Sequence, residues 1–150
     1  MNLDNFREAI TFAIRKEAEA YNLYMTYSQL VKSPGTKKMF LELAQEEDKH
    51  RKILEGVEKK DVSKYQLKKI PDLKIGDYVK EEEFHPDMDY ASALRLAMKR
   101  EENSLKLYNH LATGTDDLEL KTLFSVLAQE ESKHKLRLET EYDENVLKWA

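Results

Sequence analysis

The sequence contains no cysteine, which removes disulfides, thiolate nucleophiles and every thiolate-ligated metal site. The same absence is compatible with a reducing cytoplasm, where the chain is expected to reside. Only four glycines and three prolines occur, too few for a glycine-rich phosphate loop and few enough to leave long stretches free to be helical. No run approaches the roughly 18 apolar residues that a membrane span requires. Met1-Asn2-Leu3-Asp4 lacks the basic opening of an export signal, so an unexported chain that spans no membrane is expected. Neither sign of charge dominates: 25 basic residues are interspersed with 29 acidic ones for a net charge of -4. That mixture offers no sustained field to nucleic acid or to an anionic lipid surface.

What is present is a repeat. Leu43-Ala44-Gln45-Glu46-Glu47-Asp48-Lys49-His50 returns as Leu127-Ala128-Gln129-Glu130-Glu131-Ser132-Lys133-His134, with one substitution. At the same offset, Ala13 to Glu17 and Tyr24 correspond to Ala97 to Glu101 and Tyr108. Each half therefore supplies one lone Glu and one Glu-x-x-His. Residues three apart share a helix face, so Glu47 with His50, and Glu131 with His134, each offer a metal an oxygen and a nitrogen.

A length of 150 residues suits one domain spanning 1–150, long enough to bury roughly 70% of its unfolded surface. Asn2 to Val31 carries Phe6, Ile10, Ala13, Glu17, Tyr21 and Tyr24 at steps of three or four, the period of an amphipathic helix. Ser33-Pro34-Gly35 ends it, with Ser33 as N-cap and Pro34 as first residue of a second helix reaching about Glu58. The short joint makes these two antiparallel neighbours. A third helix, from about Asp89, places Leu94, Ala97, Glu101, Leu105 and Tyr108 on one stripe and ends at Gly114. The fourth repeats the second in phase through Phe124, Leu127, Glu131, His134 and Leu138 to about Glu141. Between the pairs, residues 59–88 form a crossover able to span roughly 90 Å if extended, ample to return along a helix. So long a loop is expected to pack in part, within Val62 to Val79, as a short helix. The segment from Asp143 to Ala150 is expected to make a short docking turn. The fold class is all-α: two antiparallel helix pairs joined by a long crossover.

Phase decides which glutamates matter. Glu17, Glu47, Glu101 and Glu131 interrupt the apolar rows that face the bundle centre, whereas Glu46 and Glu130 share rows with Lys49 and Lys133 and are expected in solvent. Four buried carboxylates without partners would cost several kcal/mol each. No Lys or Arg lies on these stripes. Two divalent cations would balance the four negative charges, and two neutral imidazoles, His50 and His134, would complete their shells. Iron or manganese suits so oxygen-rich a set better than copper or structural zinc. His85 and His110 fall off the stripes and are expected at the surface. Ser92, Ser104 and Thr113 have no base and oxyanion partners, which leaves hydrolysis by a nucleophilic hydroxyl without support.

These motifs resemble the ferritin-like di-iron carboxylate proteins, and within them the rubrerythrin-like branch; one Glu from each of two helices plus Glu-x-x-His from the other two is that class's pattern. The resemblance covers the four helices and implies a four-helix bundle with two iron ions. By it, Glu17 and Glu101 would each cap one ion, Glu47 and Glu131 would bridge both, and His50 and His134 would each bind one. Tyr24 and Tyr108 look like donors that orient the carboxylates. It also implies reaction with peroxide or O2, as a peroxidase or a ferroxidase-type oxidoreductase, and a homodimer; the long crossover would permit helix pairs to be exchanged between its chains. Two departures stand out. Rubrerythrins proper carry a four-cysteine iron site, which this sequence lacks, so an external electron-donor protein or reductant would be needed. They also carry a further Glu three residues beyond the third-helix ligand, where this chain has Ser104, matched by Ala20 on the first helix. Iron handling without turnover, a substrate oxygenase and a metal-free structural bundle are the competing readings.

Overall fold

The computed structural model describes residues 5–149. Five α-helices occur among them: α1 (Phe6–Leu30), α2 (Pro34–Gly56), α3 (Ile75–Tyr78), α4 (Tyr90–Thr113) and α5 (Leu118–Asn145). Short 3-10 helices lie at Lys59–Lys64 and Leu147–Trp149, and no strand is present among the described residues. The expected start of the first helix at Asn2 and the terminal Ala150 lie outside the described residues.

Short polar side chains set the helix starts. Asn5 accepts from the backbone N–H groups of Arg7 and Glu8, Asp89 from Ser92, and Asp117 from Leu120. Each such cap contributes about 1 kcal/mol by satisfying a donor that the first turn leaves orphaned. Ser33 stands at the start of α2 as expected, yet its side chain makes no cap hydrogen bond. Pro34 serves there instead, because its fixed φ is already helical and it has no N–H to satisfy.

α1 packs chiefly against α2 and α4 chiefly against α5, the two antiparallel pairs of a ferritin-like bundle. The apolar core falls into two clusters. One gathers Tyr24, Phe40, Leu43, Leu94 and Met98 with Leu138; the other gathers Ala9, Ala13, Leu54, Tyr108, Phe124 and Leu127. In every long helix the polar stripe residues lie between the two clusters: Glu17 between Ala13 and Tyr24, Glu47 and His50 between Ala44 and Leu54, Glu101 between Met98 and Tyr108, Glu131 and His134 between Ala128 and Leu138. A buried polar layer thus crosses the bundle between two apolar halves.

The crossover packs at separate points, and the short helix expected within it is α3. Val62 is fully buried in the second cluster, and Phe84 stacks on Tyr27 with ring centroids 4.1 Å apart. Gly76 donates its N–H to Glu139 at 2.9 Å, and Lys135 bridges Glu139 at 3.1 Å and Asp72 at 2.6 Å. The approach is tight at the glycine: a Cβ there would lie 3.0 Å from Glu102 Oε2, 3.2 Å from Lys135 Cε and 3.3 Å from Met98 Cγ. At the C-terminal end α5 runs one turn beyond Glu141, and Val146 packs against the first cluster before the closing 3-10 turn.

Candidate metal centre

All six polar stripe residues are buried and converge. Glu17, Glu47, Glu101 and Glu131 are no more than 2% exposed, with His134 at 6% and His50 at 9%. They form two sets of four, Glu17, Glu47, His50 and Glu131, and Glu47, Glu101, Glu131 and His134, within each of which the ligating atoms lie within 4.8 Å of one another. Glu47 and Glu131 belong to both sets. The two imidazoles are stacked nearly parallel, centroids 5.0 Å apart, and turn their Nδ1 atoms toward the carboxylates. His134 Nδ1 is 3.1 Å from Glu47 and 3.5 Å from Glu101, and His50 Nδ1 is 3.8 Å from Glu17.

The donor atoms crowd one another without forming hydrogen bonds. Glu17 Oε2, Glu47 Oε1, Glu101 Oε2 and both Nδ1 atoms are buried with no hydrogen bond, a condition that ordinarily costs about 1–3 kcal/mol per group and more for charged ones. Cations among them would satisfy all five. Four carboxylates and two imidazoles also make a donor set suited to first-row divalent ions.

Electrostatics reports the same strain. Burial, reinforced by Glu101 and neighbouring carboxylates, pushes Glu47 and Glu131 well above the ordinary carboxylate range. Burial acts on Glu101 in the same direction, but Glu131, His134 and Tyr24 outweigh it and hold Glu101 low. Burial would lower His50, yet Glu130 and Glu17 overcome it and raise the imidazole to about 9.

Tyr24 and Tyr108 reach across the bundle. Tyr24 on α1 donates to Glu101 Oε1 on α4 at 3.0 Å, and Tyr108 on α4 donates to Glu17 Oε1 on α1 at 3.5 Å. Burial raises both phenols, which keep their protons and remain donors. Each tyrosine serves the glutamate of the other half, a pairing that a shared stripe could not reveal.

Two expectations need correction. Glu46 and Glu130 are partly buried instead of fully solvated, because α2 and α5 meet at the histidines and shield them. Glu130 Oε2 lies 3.5 Å from His50 Nε2, and this contact, ahead of the opposing effect of burial, holds Glu130 down at about 2. Their signal was the repeat itself, since both recur at the ligand offset. Also unanticipated were Glu102, Lys135 and Glu139, all buried where the crossover docks. Lys135 is paired with Asp72 and Glu139, so it does not neutralise the central carboxylates. His85 and His110 are exposed as expected.

A cavity of about 350 Å³ opens onto Glu47, Glu101 and Glu131 between α1 and α4, with Ala20 and Ser104 in its wall and Lys16 and Arg100 also lining it. Glutamates at those two small residues would occupy its space.

Helical pairs enclosing a buried carboxylate and histidine cluster define a ferritin-like bundle with a metal-binding site. The family model described as Rubrerythrin matches residues 8–142, and the chain belongs to that family. No curated protein matches the chain, and no solved structure does. Within the sequence there is no cysteine for a four-cysteine iron site of the rubredoxin kind. No helix among the described residues is long and apolar enough to cross a membrane.

Proposed function

We propose that the chain is a di-iron carboxylate oxidoreductase that reduces peroxide or O2, with manganese as the alternative metal. The observation that carries this reading is the sharing of Glu47 and Glu131 between two four-ligand sets, in which five buried ligating atoms make no hydrogen bond. Glu17 and His50 would hold one ion and Glu101 and His134 the other, with Glu47 and Glu131 common to both. When bound, two ferrous ions supply one electron each to an oxidant. Tyr24 and Tyr108 fix the carboxylates of Glu101 and Glu17 by donating to one oxygen and leaving the other free. The apolar clusters flank the layer on either side, and the cavity beside Ala20 and Ser104 gives an oxidant a route to Glu47, Glu101 and Glu131. Electrons would be restored by an external donor, because the sequence has no thiolate iron of its own.

Stopped-flow mixing of the ferrous-loaded chain with peroxide, and separately with O2, tests the proposal. Rapid growth of ferric absorbance with either oxidant is expected. If iron binds and neither oxidant oxidises it, iron handling without turnover replaces the enzyme reading.

A further inference from the structure

The centre described above uses the imidazoles of His50 and His134 through one edge only. Their Nδ1 atoms face the inner carboxylates. On the opposite edge of its ring, His50 Nε2 meets Glu130 at 3.5 Å. A third ligand set draws on the same two rings: Glu46, His50 and His134 bring one ligating atom each within 4.8 Å of the others. Parallel rings 5.0 Å apart put both imidazoles within reach of one ion. Glu46 and Glu130 recur at the offset that relates the inner ligands, so the outer group shares the symmetry of the inner one. It is also closer to solvent. The Glu130 side chain is 28% exposed and that of Glu46 36%, and an apolar recess of about 130 Å³ beside Ile53, Tyr65 and Val126 leads to His50 and Glu130. Lys49 and Lys133 pair with these glutamates at 3.3 and 3.0 Å, and an arriving cation would take the place of their amines.

We infer that Glu46, His50 and His134, with Glu130 beside them, form an outer landing site at which a first-row divalent cation is captured before it enters the buried centre. The inference rests on the reading of the inner six residues as a two-ion site. A neutral imidazole has one nitrogen lone pair for a metal, so each ring ligates outward or inward but not both. The outer site is therefore filled while the inner one is empty and given up once the inner one is occupied. Two imidazoles and one or two carboxylates suit Co2+, Zn2+ and Fe2+. The fully loaded chain then holds two ions, and the outer site is visible only in loading or when the inner carboxylates are removed.

Cobalt is the probe, because its visible absorption reports coordination. A chain with Glu17→Gln, Glu47→Gln, Glu101→Gln and Glu131→Gln keeps both histidines and both outer glutamates. It is expected to bind one Co2+ per chain, and Glu46→Gln added to it should weaken that binding by about tenfold or more. A folded fourfold variant that binds no Co2+, or whose binding ignores Glu46→Gln, overturns the landing site. Glu46→Gln alone alters only a partly exposed residue and keeps the inner six. It should still take two Co2+ but load about tenfold more slowly in stopped flow; an unchanged rate overturns the inference even if the fourfold variant does not fold. The inner reading fails separately, if the unaltered chain does not take two Co2+.

Discussion

The hydroxyl of Tyr24 on α1 donates to Oε1 of Glu101 on α4 across 3.0 Å of buried space. Its counterpart, Tyr108 to Glu17, spans 3.5 Å, so the two helix pairs are cross-linked at the metal layer by unequal hydrogen bonds. Tyr24→Phe is therefore expected to lower metal affinity by roughly 10-fold, at the low end for a group that orients a ligand. Tyr108→Phe should do less. Competition with a chromophoric chelator would measure both, and equal effects would contradict the geometric ranking.

Neutralising a carboxylate common to both ligand sets should have opposite signs in the two forms of the protein. Glu47→Gln removes a group that burial disfavours in its charged form, so the metal-free chain should gain on the order of 1 kcal/mol. The loaded chain should lose both ions and the stability they confer. Glu17→Gln, outside the shared pair, should cost one ion. Metal analysis beside thermal melts of both forms would check this, and a lower melting point of metal-free Glu47→Gln would count against it.

Stability of the metal-free chain should fall as pH rises. The folded value of His50 is raised from 6.5 to about 9, so the stability it contributes is complete below 6.5 and lost as pH climbs through about 9. Glu47 and Glu131, also raised, act in the same direction from above 4.5. Glu101 is lowered, and its contribution is lost only in acid, below 4.5. Bound metal should abolish the alkaline fall, because deprotonated ligands bind it more tightly. Thermal midpoints of chelated and loaded samples between pH 6.5 and 9 should therefore diverge, and parallel curves would rule this out.

The crossover should be sensitive at one glycine. Gly76→Ala forces a methyl against Glu102, Lys135 and Met98 at 3.0 to 3.3 Å, and a loss of about 1–3 kcal/mol is expected from overpacking. Gly35→Ala meets nothing within 4 Å and lies in the first turn of α2. It should be neutral or stabilise by up to about 1 kcal/mol. Urea denaturation of the two variants gives the comparison.

Much of the site was legible before any fold was known. Glu17, Glu47, Glu101 and Glu131 stood on apolar stripes at helical spacing, and a helix carries every residue of a stripe to the same face whatever it packs against. Glu130 was misplaced by the same reasoning, because its own row contains Lys133 and a row says nothing about the helix opposite. Lys135 and Glu139 were missed for a related reason. Their burial comes from α3 and Asp72, which sequence patterning showed only as a long connection.

By itself the sequence determined four long helices, the side of each that turns inward, and six ligand-type residues repeated in phase, since all of these follow from local periodicity. Only the tertiary structure decided what faces what: Tyr24 on Glu101, Glu130 behind His50, Gly76 against Glu139, and a polar layer set between two apolar clusters. Those contacts join residues far apart in the chain, and their distances depend on how the helix pairs and the crossover pack, which no spacing along one helix encodes.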